Sequence, residues 1–178
     1  IPEGMARRLK GGVRLEQVVT GIRDDDGGVE VRTADGKRFE ARAVICALPF
    51  STLRHVRFDP LLAGPQQRAV ATLPHQMITQ VALRSKRPFW EQDGLPPSMW
   101  TDSQIGRVFA IYGGATDNEV SSLIVTAYGF KSAWLGRLGR EAAGRYVVAE
   151  MERIRPAAKG ALSVAAYHAW TLDPFSAG

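Results

Sequence analysis

Six residues, Ala43-Val44-Ile45-Cys46-Ala47-Leu48, constrain the fold more than any other stretch: they form a short, nearly continuous apolar run that Pro49 closes. A run of this kind predicts a strand covered on both faces, ended where a residue that cannot donate to a sheet ladder enters. A covered strand needs neighbours. Upstream, Val18 to Ile22, Val29 to Thr33 and Phe39 to Arg42 are short β-prone runs with turn residues between them. Small side chains at the end of the run, Ala47 and then Ser51 and Thr52 beyond the proline, would let a large planar group lie close to the backbone.

The chain in order gives a mixed pattern of strands and helices. Pro2 to Leu9 predicts a short helix stopped by Gly11-Gly12. Val13-Arg14-Leu15 and Val18 to Arg23 read as strand pieces, and Asp24-Asp25-Asp26-Gly27-Gly28 as a turn rather than an acidic metal site, because adjacent aspartates on an extended chain cannot all aim at one ion. Asp35-Gly36 reverses the next strand into Phe39 to Arg42. After Pro49 the pattern predicts a short extended piece at His55 to Asp59 and a brief helix from Pro65 to Ala71 that Pro74 stops, at the point where one domain gives way to another. Strands are predicted at Met77 to Leu83, Arg107 to Tyr112, Ser122 to Tyr128 and Leu162 to His168. Between the last two lies the longest helical stretch, Ser132 to Ile154, as one helix or as two broken near its glycines, with Ala143, Val147, Met151 and Ile154 on one face. Trp170 to Gly178 reads as a loop.

Composition excludes several function classes. No apolar run approaches the roughly 18 to 20 residues a bilayer span requires. The start, Ile1-Pro2-Glu3-Gly4, has neither an initiator methionine nor a signal-peptide pattern, so the sequence is expected to be cut from something longer and to belong to the cytoplasm. Cys46 is the one cysteine, which excludes an internal disulfide, and its place in the apolar run predicts a buried, unreactive side chain. The net charge of +5 comes from scattered cations. Its densest groups, Arg7, Arg8 and Lys10, then Arg84, Lys86 and Arg87, lack aromatic interleaving and predict solvated faces, not nucleic-acid binding. His55, His75 and His168 have no metal-ligand spacing, so no metal is expected. Neither a G-x-S-x-G elbow nor a G-x-G-x-x-G turn is present.

The ordered set of motifs resembles the flavin-dependent amine oxidases, the broad monoamine and polyamine oxidase family. The matching residues are Val19 and Ile22, Asp35-Gly36, Ala41 to Pro49, Phe58-Asp59-Pro60, Arg87-Pro88-Phe89-Trp90 and the terminal Trp170 to Gly178, which together cover nearly the whole chain. The resemblance implies an α/β fold of the α+β type, a mixed sheet flanked by helices. Residues 1–65 would be late strands of an FAD-binding domain, 66–169 the later half of a substrate domain, and 170–178 the start of the return to the FAD domain. The glycine motif and the segment completing the flavin site would lie outside this chain.

The same resemblance implies FAD as cofactor of the full-length protein, not retained by these residues alone, and a small-molecule amine as substrate, with the oligomeric state left open. It puts Val19 beside the adenine end of FAD, against a plain core valine; Ala47, Leu48 and Pro49 close to the cofactor; and Trp170 near the flavin, against simple hydrophobic packing. Gln80 falls where the family usually carries a lysine that serves the flavin N5 position through a water. A glutamine can hold a water but brings no charge, so the substitution predicts slower turnover with oxygen or another electron acceptor. The activity so implied is oxidation of an amine to an imine, hydride transfer to flavin and formation of hydrogen peroxide, the isolated fragment being inactive. The alternatives are a related desaturase or protoporphyrinogen-type oxidase, and a non-catalytic binding module.

Overall fold

The computed structural model describes residues 2–176; Ile1 and the last two residues of the terminal stretch, Ala177 and Gly178, lie outside them. The chain divides between Leu73 and Pro74 into two units, each with its own sheet.

In the first unit, helix α1 (Pro2–Ala6) precedes strands β1 (Val19–Asp25), β2 (Gly28–Thr33) and β3 (Arg38–Ala41). The one-turn helix α2 (Phe50–Leu53), strand β4 (Arg57–Asp59) and helix α3 (Gly64–Thr72) follow. The sheet runs β3-β2-β1-β4, antiparallel except for the parallel pair β1 and β4. Aspartates build its turns, as their composition predicts. The Asp25 carboxylate accepts the Gly27 backbone N–H at 3.0 Å, and the Asp35 carboxylate accepts the Thr33 hydroxyl and, at 3.4 Å, the Lys37 N–H. Lys37 and Thr33 together hold Asp35 down to about 2.

Two expectations fail here. Ala43 to Leu48 forms no strand: the whole run lacks regular secondary structure and is exposed, Ile45 by 96%. Cys46, expected to be buried, is exposed with it. The reason is pairing. Apolar side chains favour burial, but a strand also needs ladder partners for its backbone N–H and C=O groups. β1 is already flanked by β2 and β4, and neither edge strand, β3 nor β4, pairs with the run. Val13 to Leu15 likewise lies outside any strand and is exposed.

The second unit holds β5 (Ile78–Ser85), α4 (Phe89–Gln92), β6 (Met99–Trp100), β7 (Arg107–Tyr112), β8 (Val120–Tyr128), α5 (Gly129–Arg137), α6 (Gly139–Ile154) and β9 (Leu162–Ala169). Single 3-10 turns at Pro156–Ala158 and Trp170–Leu172 flank β9. The sheet order is β6-β7-β8-β5-β9, antiparallel throughout. Alternation along the strands sends Val81 and Leu83, Val108, and Leu123, Val125 and Ala127 to one face, where α5 and α6 cover them. Each such side chain contributes about 1.5–3 kcal/mol on burial. α6 answers with Ala143, Val147 and Met151, the stripe its four-residue spacing predicts. The helical stretch is two helices, broken at Leu138 by Gly139, whose φ of +74° a side chain rarely adopts.

Arg155, 3% exposed after α6, is fixed by the Asp93 carboxylate (Nε–Oδ2 2.9 Å), by the carbonyls of Pro96 and Leu95, and by the Phe89 ring 4.9 Å beneath it. Its guanidinium holds the Asp93 carboxyl below the usual carboxylate value. Thus the Pro88-Phe89-Trp90 motif seats Phe89 in the core under a satisfied cation.

Candidate functional site

The face of the second sheet turned away from α5 and α6 carries the polar chemistry. Direct pairing sets five residues in one row across it: Trp100 opposite Arg107, Arg107 opposite Thr126, Thr126 opposite Gln80, and Gln80 opposite His168. Directly opposed residues of an antiparallel sheet point to the same side, so these side chains form one continuous surface.

Gln80 is the middle of this row. Its Oε1 accepts the Trp170 Nε1–H at 3.0 Å, and its Nε2 faces Thr126 Oγ1 at 3.4 Å. An indole N–H only donates, so the amide orientation is set by chemistry, and among the described residues one Nε2–H of Gln80 has no protein acceptor. Trp170 also packs against His168, ring centroids 4.1 Å apart and planes tilted by 59°, and His168 Nε2 lies 3.5 Å from Asp173. Beside Gln80 the surface is low and apolar: Ala82, two residues along, pairs with Ile124 on one side and Ala166 on the other.

Beneath the row, on the helix side, a buried hydroxyl cluster fixes its end. Thr79 Oγ1 donates to the Ser132 carbonyl at 3.0 Å and meets Ser132 Oγ at 3.0 Å. Ser132 Oγ meets Thr171 Oγ1 at 3.2 Å, and Thr171 Oγ1 lies 3.4 Å from the Ile78 carbonyl. The residue after Trp170 is thereby tied to β5 and α5, which sets the 3-10 turn that presents the indole.

At the other end, Arg107 lies between two rings, its guanidinium carbon 4.2 Å from the Trp100 centroid and 3.7 Å from that of Phe109. The hairpin that delivers it turns through Gly106 at φ +70°, where a Cβ would sit 2.7 Å from the Thr126 carbonyl oxygen, so only glycine permits this approach.

Of the residues singled out in the sequence, Gln80 and Trp170 are brought into direct contact. The others lie in the first unit. Val19 opens β1, half-buried and opposite Thr33; Ala47 and Leu48 lie in the exposed run; and Pro49 offers its carbonyl to the N–H groups of Thr52 and Leu53 at the start of α2. Sequence reasoning missed Arg107, Trp100, Phe109, Thr126 and His168 as a group, because the cross-strand register that unites them is not written in any one strand. Among the described residues, no group of three His, Cys, Asp or Glu side chains could hold a metal ion, and no helix is long and apolar enough to cross a membrane.

The sequence model of the flavin containing amine oxidoreductases matches residues 1–178. The chain belongs to this family. Members of the flavin amine oxidoreductase family carry FAD. A flavin-dependent L-tryptophan oxidase of Lentzea aerocolonigenes is 30% identical over 96 residues, 52% of this chain and 20% of the relative. A flavin-containing amine oxidase of Danio rerio is 27% identical over 142 residues, 79% of this chain and 27% of the relative. The chain thus spans about a fifth to a quarter of the length of these two relatives. Among solved structures, a triple mutant of putrescine oxidase superposes with a TM-score of 0.77 at 22% identity, covering 98% of this chain and 38% of that one. Cyclohexylamine oxidase of Brevibacterium oxydans does so with 0.73 at 21%, covering 92% and 36%. These likenesses show that the family's mixed α/β fold is shared.

The residues of the open face fit a flavin on chemical grounds. A flavin edge presents hydrogen-bonding nitrogen and oxygen atoms, which the unengaged Gln80 N–H suits, and a planar ring system needs the low relief that Ala82 and Ala166 provide.

Proposed function

We propose that the full-length protein is an FAD-dependent amine oxidase, that residues 1–65 belong to its FAD-binding domain and 66–169 to its substrate domain, and that the row through Gln80 faces the reacting amine. The single observation carrying this reading is the Trp170–Gln80 hydrogen bond at 3.0 Å on the open face, in a chain that belongs to the amine oxidoreductases. When bound, FAD would supply the redox chemistry, taking a hydride equivalent from the carbon bearing an unprotonated amine, which leaves as an imine, and passing two electrons to oxygen to give hydrogen peroxide.

The chain's own side chains do the rest. Gln80 orients: its spare Nε2–H can hold a water or an amine lone pair, and being neutral it can neither take the amine proton nor stabilise negative charge as an ammonium would. Trp170, fixed by that amide and by His168, offers a flat apolar wall. Ala82, Ile124 and Ala166 keep the surface beside it free of competing polar groups, which favours the neutral amine over its hydrated cation. Val19, Ala47, Leu48 and Pro49 would lie along the cofactor, and the 178 residues alone would be inactive.

The experiment is expression of the full-length protein and assay of hydrogen peroxide and aldehyde or ketone product over primary, secondary and poly-amines. Equimolar peroxide and carbonyl product is expected with at least one amine class. A flavoprotein that consumes none of them, but desaturates a large apolar substrate, would replace the reading.

A further inference from the structure

Among the described residues, Arg107 is a cation with no carboxylate to neutralise it. Its guanidinium makes no hydrogen bond and no ion pair with any protein group among the described residues, although it is half-buried and clamped by two aromatic rings. Stacking restricts the plane of a guanidinium while leaving its edge N–H groups free, which is the state in which the fork best receives a carboxylate in a two-pronged contact. The ring pair also lowers the entropy lost when the fork is engaged, since the long side chain is already ordered. A solvated surface arginine needs none of this.

Its position says what it would hold. Arg107 is in the same row as Gln80, with only Thr126 between them, so their backbones are two strand spacings apart, roughly 10 Å. Both side chains stand on the open face. Thr126 between them is short, buried and bonded to Gln80, so it puts no exposed polar group between the two. A ligand whose reacting carbon lies at Gln80 therefore meets Arg107 at its far end, not beside the amine. A chain of about six carbons covers most of that span, and the N–H to carboxylate contact itself, about 3 Å, covers the remainder.

We infer that Arg107 is a specificity-determining residue that receives a carboxylate distal to the oxidised amine, so that the substrate class is the linear ω-amino acids and their kin rather than simple alkylamines. This rests on the reading of the Gln80 face as the amine site, and the test separates the two.

Two measurements on the full-length FAD-loaded protein decide it. The first needs no turnover: hexanoate and its neutral counterpart hexanamide are titrated while the visible flavin spectrum and the heat of binding are recorded. Hexanoate should bind about 10- to 100-fold more tightly than hexanamide, and Arg107→Met should abolish the difference. The second compares kcat/KM for 6-aminohexanoate and hexylamine. Their ratio should fall by a similar factor in Arg107→Met and by less in Arg107→Lys, which keeps the charge and loses the fork, and which stands in if the methionine variant misfolds. Equal binding of hexanoate and hexanamide overturns the inference. So does a carboxylate preference that survives in both variants, or one shown only by phenylalanine over 2-phenylethylamine, where the carboxylate is on the reacting carbon. If hexanoate binds through Arg107 but no amine is turned over, the fault lies in the amine-oxidase reading and the anion site stands.

Discussion

Replacing Thr79 by valine keeps the volume of a fully buried side chain and removes only its hydroxyl, so it isolates the polar cluster beneath the row. The bonds can be followed proton by proton. Thr79 donates to the Ser132 carbonyl, which frees its own lone pairs to accept from Ser132 Oγ. In the valine variant the Ser132 hydroxyl still has Thr171 Oγ1 at 3.2 Å to donate to, and Thr171 can turn its own proton to the Ile78 carbonyl at 3.4 Å. The cluster therefore relaxes in part. The loss is that of a net buried hydrogen bond and not of a fully orphaned donor, about 1–2 kcal/mol. All four tryptophans, at 90, 100, 134 and 170, lie in the second unit, so in this chain indole fluorescence reports that unit's unfolding alone. With a urea slope near 2 kcal/mol per molar, the midpoint should fall by about 0.5–1 M. Ser132→Ala should cost about 1 kcal/mol, and the double variant less than the sum, because the second change removes a partner already lost. A midpoint unchanged within about 0.1 M in Thr79→Val, or strict additivity in the double variant, would refute the argument.

Gly144→Ala tests packing where a built Cβ sits 2.9 Å from Val164 Cγ2: overpacking of about 1–3 kcal/mol outweighs the helix-propensity gain of about 1 kcal/mol, whereas in a Val164→Ala background the same change should stabilise, as urea midpoints of the four proteins will tell. Asp93 has its carboxyl lowered by Arg155, so the stability it contributes is present above its unfolded value near 4 and disappears as pH falls through the lower folded value; Asp93→Asn should flatten the acid limb of a stability–pH profile. Gln80→Lys, which adds a cation where the row has a neutral amide, should speed reoxidation of the reduced full-length enzyme by oxygen in stopped flow, and an unchanged rate would remove that role from position 80. The same change takes away the acceptor of Trp170 Nε1, but the indole is partly exposed and water replaces the lost bond, so stability should fall by no more than about 1 kcal/mol.

What the sequence makes legible is set by how local the cause is. The turns ending at Gly28 and at Asp35-Gly36, strands β7 and β9, and the buried stripe of α6 follow from residue types and spacings, and they lie within a residue of where the patterns put them. Ala43 to Leu48 failed because hydrophobic patterning reports a preference for burial and says nothing of whether a ladder partner exists. β6 was invisible because two residues carry no period, yet its Trp100 completes the clamp on Arg107. Gln80 could be found by its distance from Pro88-Phe89-Trp90, and Trp170 by its place in a terminal motif. That they touch, and that Thr126, Arg107 and His168 share their row, depends on the register of β7, β8, β5 and β9, a property of pairs of strands.

The central claim is that the face carrying Gln80 and Trp170 serves amine oxidation on FAD. It is tested most directly by recording the visible flavin spectrum of the full-length protein and adding primary, secondary, poly- and ω-carboxylated amines in the absence of oxygen. The account predicts a bound flavin that at least one amine class bleaches, with colour returning when oxygen is admitted. A protein that carries no flavin, or a flavin that every amine leaves oxidised, would contradict it.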